Sequence, residues 1–260
     1  MKTTKNIFIA ASLLSLSSMA LAAEFGEKPD TPELPGGKYV VHDGTRPQPR
    51  HVQTAGAVSV PAPGDAKVLF DGSNLDAWKG AAWKIVDGSM VAADKNIETK
   101  DSFRDVQLHI EWRIPAGREI HGQSGGNSGI FLMGLYECQV LQNLENKTYP
   151  DGQAGGMYGQ YPPLVNASVA QGEWQSYDLV FIAPRYEGEK CVEPAKLTLF
   201  HNGVLMHNAK PYLGPTQHKK LASYPKTHPK KAPISLQWHN DPVEYRNIWV
   251  RDLGDYDQAE

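Results

Sequence analysis

From residue 106 onward, hydrophobic and polar positions alternate. Val106, Leu108, Ile110 and Trp112 fall on one side of the pattern, and Gln107, His109, Glu111 and Arg113 on the other. A period of two belongs to an extended strand, whose successive side chains point to opposite faces. The pattern returns in YECQV (136–140), where Tyr136, Cys138 and Val140 share one face and Glu137 and Gln139 the other. WKIVDGSMVAA predicts two short strands around Asp87-Gly88, and AKLTLFHNGVLMHN two more around Asn202-Gly203, both favoured hairpin pairs. SGIFLMG, WQSYDLVFIAP, APISLQWHN and VEYRNIWVRDL extend the series, and no stretch carries a helical period of a dozen residues. Closely spaced strands with Gly and Pro turns predict an all-β fold, a two-sheet antiparallel sandwich or jelly roll.

In such a sandwich each strand turns one face to the inter-sheet core and the other outward. The pattern therefore assigns Leu108, Ile110, Cys138, Val140 and Ile248 to the core, and places Trp112 and Trp249 on core faces. Glu137 and Gln139 belong outside.

The rest of the chain divides by composition. Residues 1–22 combine Lys2 and Lys5, an apolar run and Ala20-Leu21-Ala22, the form of an export signal cleaved after Ala22. An exported protein, periplasmic or secreted, with no membrane anchor in the mature chain is expected. Residues 23–64 are dense in Pro and Gly and predict an extended arm, draped over the domain or loose, without regular structure or a catalytic group. The domain itself is expected over 65–253, with a short acidic tail at 254–260. A formal net charge of −3 argues against nucleic acid as a partner, and the basic cluster at 218–231 reads as a solvated loop. Cys138 and Cys191 form no disulfide framework and are read as free thiols.

Several chemistries fail on inspection. GQSGGNSG (122–129) lacks the Gly-Lys-Ser/Thr ending of a phosphate loop, Ser128 misses the nucleophile-elbow spacing, and no closely spaced zinc ligands occur. The outward face of YECQV offers one carboxylate, and a retaining glycosidase needs two. What remains is a set of polar residues on outward faces of separate strands. Glu137, His239 and Glu111 are the catalytic candidates, with Glu137 or His239 as the base. Gln139, Arg246, Gln237 and Arg113 are candidate binding groups beside them, expected to share one groove. Together they could supply a base, an acid and a charge stabiliser. Tyr158, in the Gly- and Pro-rich GGMYGQYPP, is the aromatic candidate for stacking on a sugar. No cofactor is required, although the groove could hold a divalent cation.

VLFDGSNLDAW, GGNSGIFLMGLYECQVL, YPDGQAGGMYGQYPPLVNA, GEWQSYDLVFIAPRY, LTLFHNGVLMHN, LGPT and VEYRNIWVRDL carry a resemblance. From about residue 65 to 253 the chain closely resembles the 3-keto-disaccharide hydrolase domain family. The resemblance implies a concanavalin A-like jelly roll, exported bacterial proteins, and activity or binding on glycosides. It also implies a mechanism that needs no carboxylate nucleophile: a ketone at sugar C3 acidifies the C2–H bond, a base removes that proton, and the C1 substituent leaves before water adds. The family's Tyr-Glu-x-Gln strand falls on Tyr136 to Gln139, its Gln-x-His element on Gln237 and His239, and its Arg-Asn-Ile element on Arg246 to Ile248. Where the family often has Asp-Ser and Asp-His-Gly, this chain has Gln142-Asn143 and Trp238-His239-Asn240, so two possible acids or metal ligands are absent. An enzyme cleaving 3-keto-glycosides and a non-catalytic carbohydrate-binding domain both fit.

Overall fold

A computed structural model describes residues 25–80 and 82–254. The expected export signal at 1–22 and residues 255–260 of the expected tail lie outside the described residues. Two antiparallel sheets dominate. The larger runs Val204–Pro211, Lys196–His201, Gln175–Ile182, Val106–Arg113, Glu244–Asp252, Ser89–Val91 and Lys84–Val86, with Lys67–Phe70 also paired to Glu244–Asp252. The smaller runs Trp78–Lys79, Ile97–Thr99, Ser235–Leu236, Asn127–Leu132 and Tyr136–Leu141. The fold is the all-β sandwich that the alternation predicts, and among the described residues no helix is long and apolar enough to cross a membrane.

The inner faces meet in one core. Leu108, Ile110 and Trp112 from the larger sheet join Ile130, Tyr136, Cys138 and Val140 from the smaller. Tyr136 packs on Phe181 of the opposite sheet with ring centroids 5.3 Å apart. The hydroxyl of Tyr177 donates across the layer to the carbonyl of Gln139 at 2.8 Å. Cys138 is fully buried, Glu137 points the other way, and Cys138 and Cys191 are free thiols.

One strand changes phase. Arg246 pairs with Glu111, but the next pair is Trp249 with His109, so the Glu244–Asp252 strand holds one residue too many. Asn247 occupies the bulge with φ 44°. Before it, Val243 and Tyr245 face the core; after it, Ile248 and Val250 do. Trp249 is thereby thrown outward, which corrects its expected core position. Its ring is buried instead beneath the N-terminal arm, stacked on His109 at 5.5 Å, with Nε1 donating to the carbonyl of Val60 at 2.9 Å.

That arm is draped over the sandwich. Val40, Val41, His42 and Asp43 are buried, Arg50–His51 pairs in parallel with Val165–Asn166, and residues 57–60 cross the outer face of the larger sheet. The arm thus packs both on the outer face of the larger sheet and beside the smaller one.

Candidate active site

A cleft of about 480 Å³ opens on the outer face of the smaller sheet. The sheet supplies its floor. Asn127 and Phe131 come from one strand, Glu137 and Gln139 from the next, and Gln237 and His239 follow the short Ser235–Leu236 strand. Alternation puts each of these on the outer face while its neighbours enter the core. Three loops build the walls, bringing Gln123, Tyr149 with Tyr158, and Thr216 with His218.

Glu137 holds the centre of the floor. It pairs with Phe131, while Gly129, one step along the same face, pairs with Gln139. A Cβ on Gly129 would lie 2.5 Å from Glu137 Oε1 and 3.0 Å from the Phe131 ring. The carboxyl therefore lies over the glycine, in space that any other residue would fill. Burial pushes its pKa up to about 8, and no hydrogen bond or charge offsets that burial. A carboxyl removed from water without a partner disfavours its ionised form. Such a perturbed group in a cleft is the mark of a site rather than of a packing residue.

The surrounding polar groups are held in fixed orientations. Gln139 Nε2 donates to Gln123 Oε1 at 3.0 Å and to the Gly152 carbonyl at 3.3 Å. Gln139 Oε1 is left without a partner, as is Gln237 Oε1. Two amide oxygens on residues that line the cleft are thus buried with their acceptor capacity unused. On the wall, Tyr149 and Tyr158 share a hydroxyl–hydroxyl bond of 2.8 Å, and Tyr158 Oη meets His218 Nδ1 at 3.1 Å. Burial raises the Tyr158 phenol well above its ordinary value, so it stays protonated at any physiological pH. His239 is exposed at the rim.

The cleft brings together Glu137, Gln139, Gln237, His239 and Tyr158. It does not contain Glu111, Arg113 or Arg246, which corrects the expectation of one shared groove. These three sit on strands of the larger sheet, whose outer face is the opposite side of the sandwich. Alternation separates inside from outside, but a sandwich has two outsides.

Over there they make a different kind of site. Arg246 Nε donates to Glu111 Oε2 at 2.6 Å, Asn247 Nδ2 to Oε1 at 2.8 Å, and Ser59 Oγ from the arm to Oε1 at 2.5 Å. His109 bridges Asp178 at 2.6 Å and Glu111 at 3.5 Å. Burial alone would raise Glu111, but its bonds to His109, Asn247, Ser59 and Arg246 overcome this and bring it down to about 2. Burial would likewise lower His109, and the two carboxylates instead raise it to about 9. Arg113 pairs with Glu244 at 2.5 Å, and the guanidinium groups of Arg113 and Arg246 lie over the Trp174 ring. Every charge here is matched, and the arm covers the cluster. It is a clamp.

Sequence reasoning missed Tyr149, Gln123, Thr216 and His218. His218 opens the basic cluster read as solvated loop; its first residue turns into the cleft. Gln123 and Asn127 lie in the glycine-rich 122–129 stretch, which matches neither a phosphate loop nor a nucleophile elbow. Gln142 and Asn143, at the family's Asp-Ser place, are occupied structurally: Gln142 Nε2 donates to the Val169 carbonyl and Asn143 Oδ1 accepts from the Ala154 amide. Among the described residues no three His, Cys, Asp or Glu side chains gather as a metal site.

Comparison with known proteins adds the following. Residues 65–251 match the family described as the 3-keto-alpha-glucoside-1,2-lyase-like domain. A candidate glycosyl hydrolase from Parabacteroides distasonis ATCC 8503 is 40% identical, with a TM-score of 0.72 over 74% of this chain and 86% of its own. Two others from that organism are 18% and 21% identical, each at a TM-score of 0.51, covering 73% and 72% of this chain and 94% and 99% of theirs. At that identity they attest the fold alone. No curated protein matches the chain.

Proposed function

Because the chain belongs to the 3-keto-alpha-glucoside-1,2-lyase-like domain family, we propose that its cleft cleaves 3-keto-glycosides by elimination and hydration, with Glu137 as the base. One observation carries this reading. The cleft is lined by a single carboxyl, and that carboxyl is unpaired and raised to about 8. Both glycosidase routes that use a carboxylate pair need a second acid in the same cleft. Elimination needs one base, one acid and one stabiliser of negative charge.

The C2–H bond beside a C3 ketone is a carbon acid, so the base must be stronger than an ordinary carboxylate. Raising a pKa makes the ionised form a stronger base; at a pKa near 8, roughly a tenth of Glu137 is ionised at pH 7. As Glu137 takes the C2 proton, negative charge moves to the ketone oxygen. Tyr158, kept protonated and pinned between Tyr149 and His218, is the donor suited to that oxygen. His239 at the rim gives a proton to the departing C1 oxygen. Gln139 and Gln237, which line the cleft, are the amides placed to meet hydroxyls of the sugar ring. The 40% identical relative, itself described as a glycosyl hydrolase candidate, supports carbohydrate chemistry in this cleft. The pattern of residues 1–22 supports action after export.

The test is direct. Incubated with 3-keto-glycosides, the purified chain consumes them and leaves the unoxidised glycosides intact, and Glu137→Gln abolishes the consumption. Sugar binding without any consumption would instead mark a carbohydrate-binding domain.

A further inference from the structure

The family match begins at residue 65, yet three residues that line the cleft rest against a residue from upstream of it. His42 belongs to the arm and is only 1% exposed. Its ring lies 4.3 Å from Tyr149, 4.8 Å from Tyr158 and 5.3 Å from His218, centroid to centroid. It is the one ring that touches all three members of the Tyr149–Tyr158–His218 chain among the described contacts. We infer that the arm backs the wall of the cleft, with His42 the positioning residue that holds Tyr158 and His218 in place.

The anchoring of His42 fits this role. Its backbone N–H donates to Asp151 Oδ2 at 3.0 Å, and Asp151, wholly buried, lies on the turn between Tyr149 and Tyr158. Arg46, also from the arm, stands 3.6 Å from the same oxygen. On the other side the Lys219 N–H donates to His42 Nε2 at 3.4 Å, tying the His218 loop to the arm. Gly159 lets the backbone come close: a Cβ there would meet His42 Cε1 at 3.3 Å, and its φ of +70° suits glycine. The arm residue thus joins two wall loops that also meet where Tyr158 touches His218 and where the Gln160 amide bonds Gly214 and Leu213. The His42 Nδ1 faces Asp151 Oδ1 at 3.8 Å.

This inference rests on the proposed function for its kinetic part and stands apart from it in its spectroscopic part. The His218 imidazole is held below its ordinary pKa by burial first, with His42, Lys219 and His239 adding to it, while Tyr158 meets its Nδ1. In the full chain, His42→Ala is expected to lower kcat on a 3-keto-glycoside roughly 10- to 100-fold, the scale of a misplaced catalytic group, with KM changed far less. The His218 titration, followed by NMR, is expected to move up toward the ordinary histidine value. His42→Phe, which keeps a ring against Tyr149 and Tyr158, recovers most of kcat. It also serves as the comparison should His42→Ala fail to fold. Unchanged kcat, or a fall in kcat with His218 titrating as before, overturns the inference. A chain that turns over no 3-keto-glycoside at all defeats the proposed function, and the His218 titration then decides the positioning by itself.

Discussion

Glu137 and Glu111 start from the same local rule. Each is an outward-facing carboxyl in an alternating strand, and each is buried. They then part. Glu111 has four side-chain partners and a pKa brought down to about 2; Glu137 has none and is raised to about 8. A carboxylate that is fully satisfied contributes to holding the molecule together and has nothing left to offer a substrate. One that is buried and unsatisfied costs stability and is kept where chemistry needs it. The number of partners, more than burial or strand position, separates the clamp from the site.

The largest expected effect breaks the comparison at Glu137. Glu137→Gln should keep the fold and lose roughly 10²–10⁴ in turnover, the range of a missing general base. The same substitution style at the clamp should do the reverse. Glu111→Ala takes one of two carboxylate partners from the buried His109 and the partner of the partly exposed Arg246, a loss of up to about 3 kcal/mol. Urea unfolding should show that loss, and limited proteolysis should cut first near residues 57–60, which the cluster holds down.

The two carboxyls should also give opposite pH signatures. Glu137 keeps its proton in the folded state up to about 8 while the unfolded chain loses it near the ordinary glutamate value of 4.5. Its contribution to stability is therefore present below pH 4.5 and falls away as pH rises to 8, by on the order of a few kcal/mol. In Glu137→Gln that decline disappears, so the variant melts higher than the parent at pH 8 and equally at pH 4.5. Glu111 runs the other way: its contribution is present above pH 4.5 and is lost as pH falls toward 2. The smallest effect is expected at Gly129→Ala, which displaces the Glu137 carboxyl without removing it. A drop of about tenfold in kcat, with Glu111 and the arm untouched, would show that the position of the carboxyl matters as well as its presence.

Much of this was legible in the alternation. The period of two placed Cys138 inward and Glu137 outward, and the outward residues at 137, 139, 237 and 239 do meet on one sheet. What alternation cannot tell is which of two outer faces a strand presents, since pairing between distant strands decides that. Glu111, Arg113 and Arg246 were lost to the opposite sheet for this reason. The bulge at Asn247 was hidden as well, because Ile248 and Trp249 are both large and apolar and either could have taken the core. Tyr149 and His218 reach the cleft through loops, and His42 reaches their back through the arm, all without periodicity, so no pattern in the chain announced them.

The central claim is that Glu137 takes a proton from carbon. The most direct measurement compares turnover of a 3-keto-glycoside carrying deuterium at C2 with that of the unlabelled sugar. The account predicts a primary isotope effect on kcat/KM in the parent chain, with kcat/KM rising as pH approaches 8 and Glu137 ionises. Cleavage that proceeds at full rate with deuterium at C2, and that survives in Glu137→Gln, would contradict it.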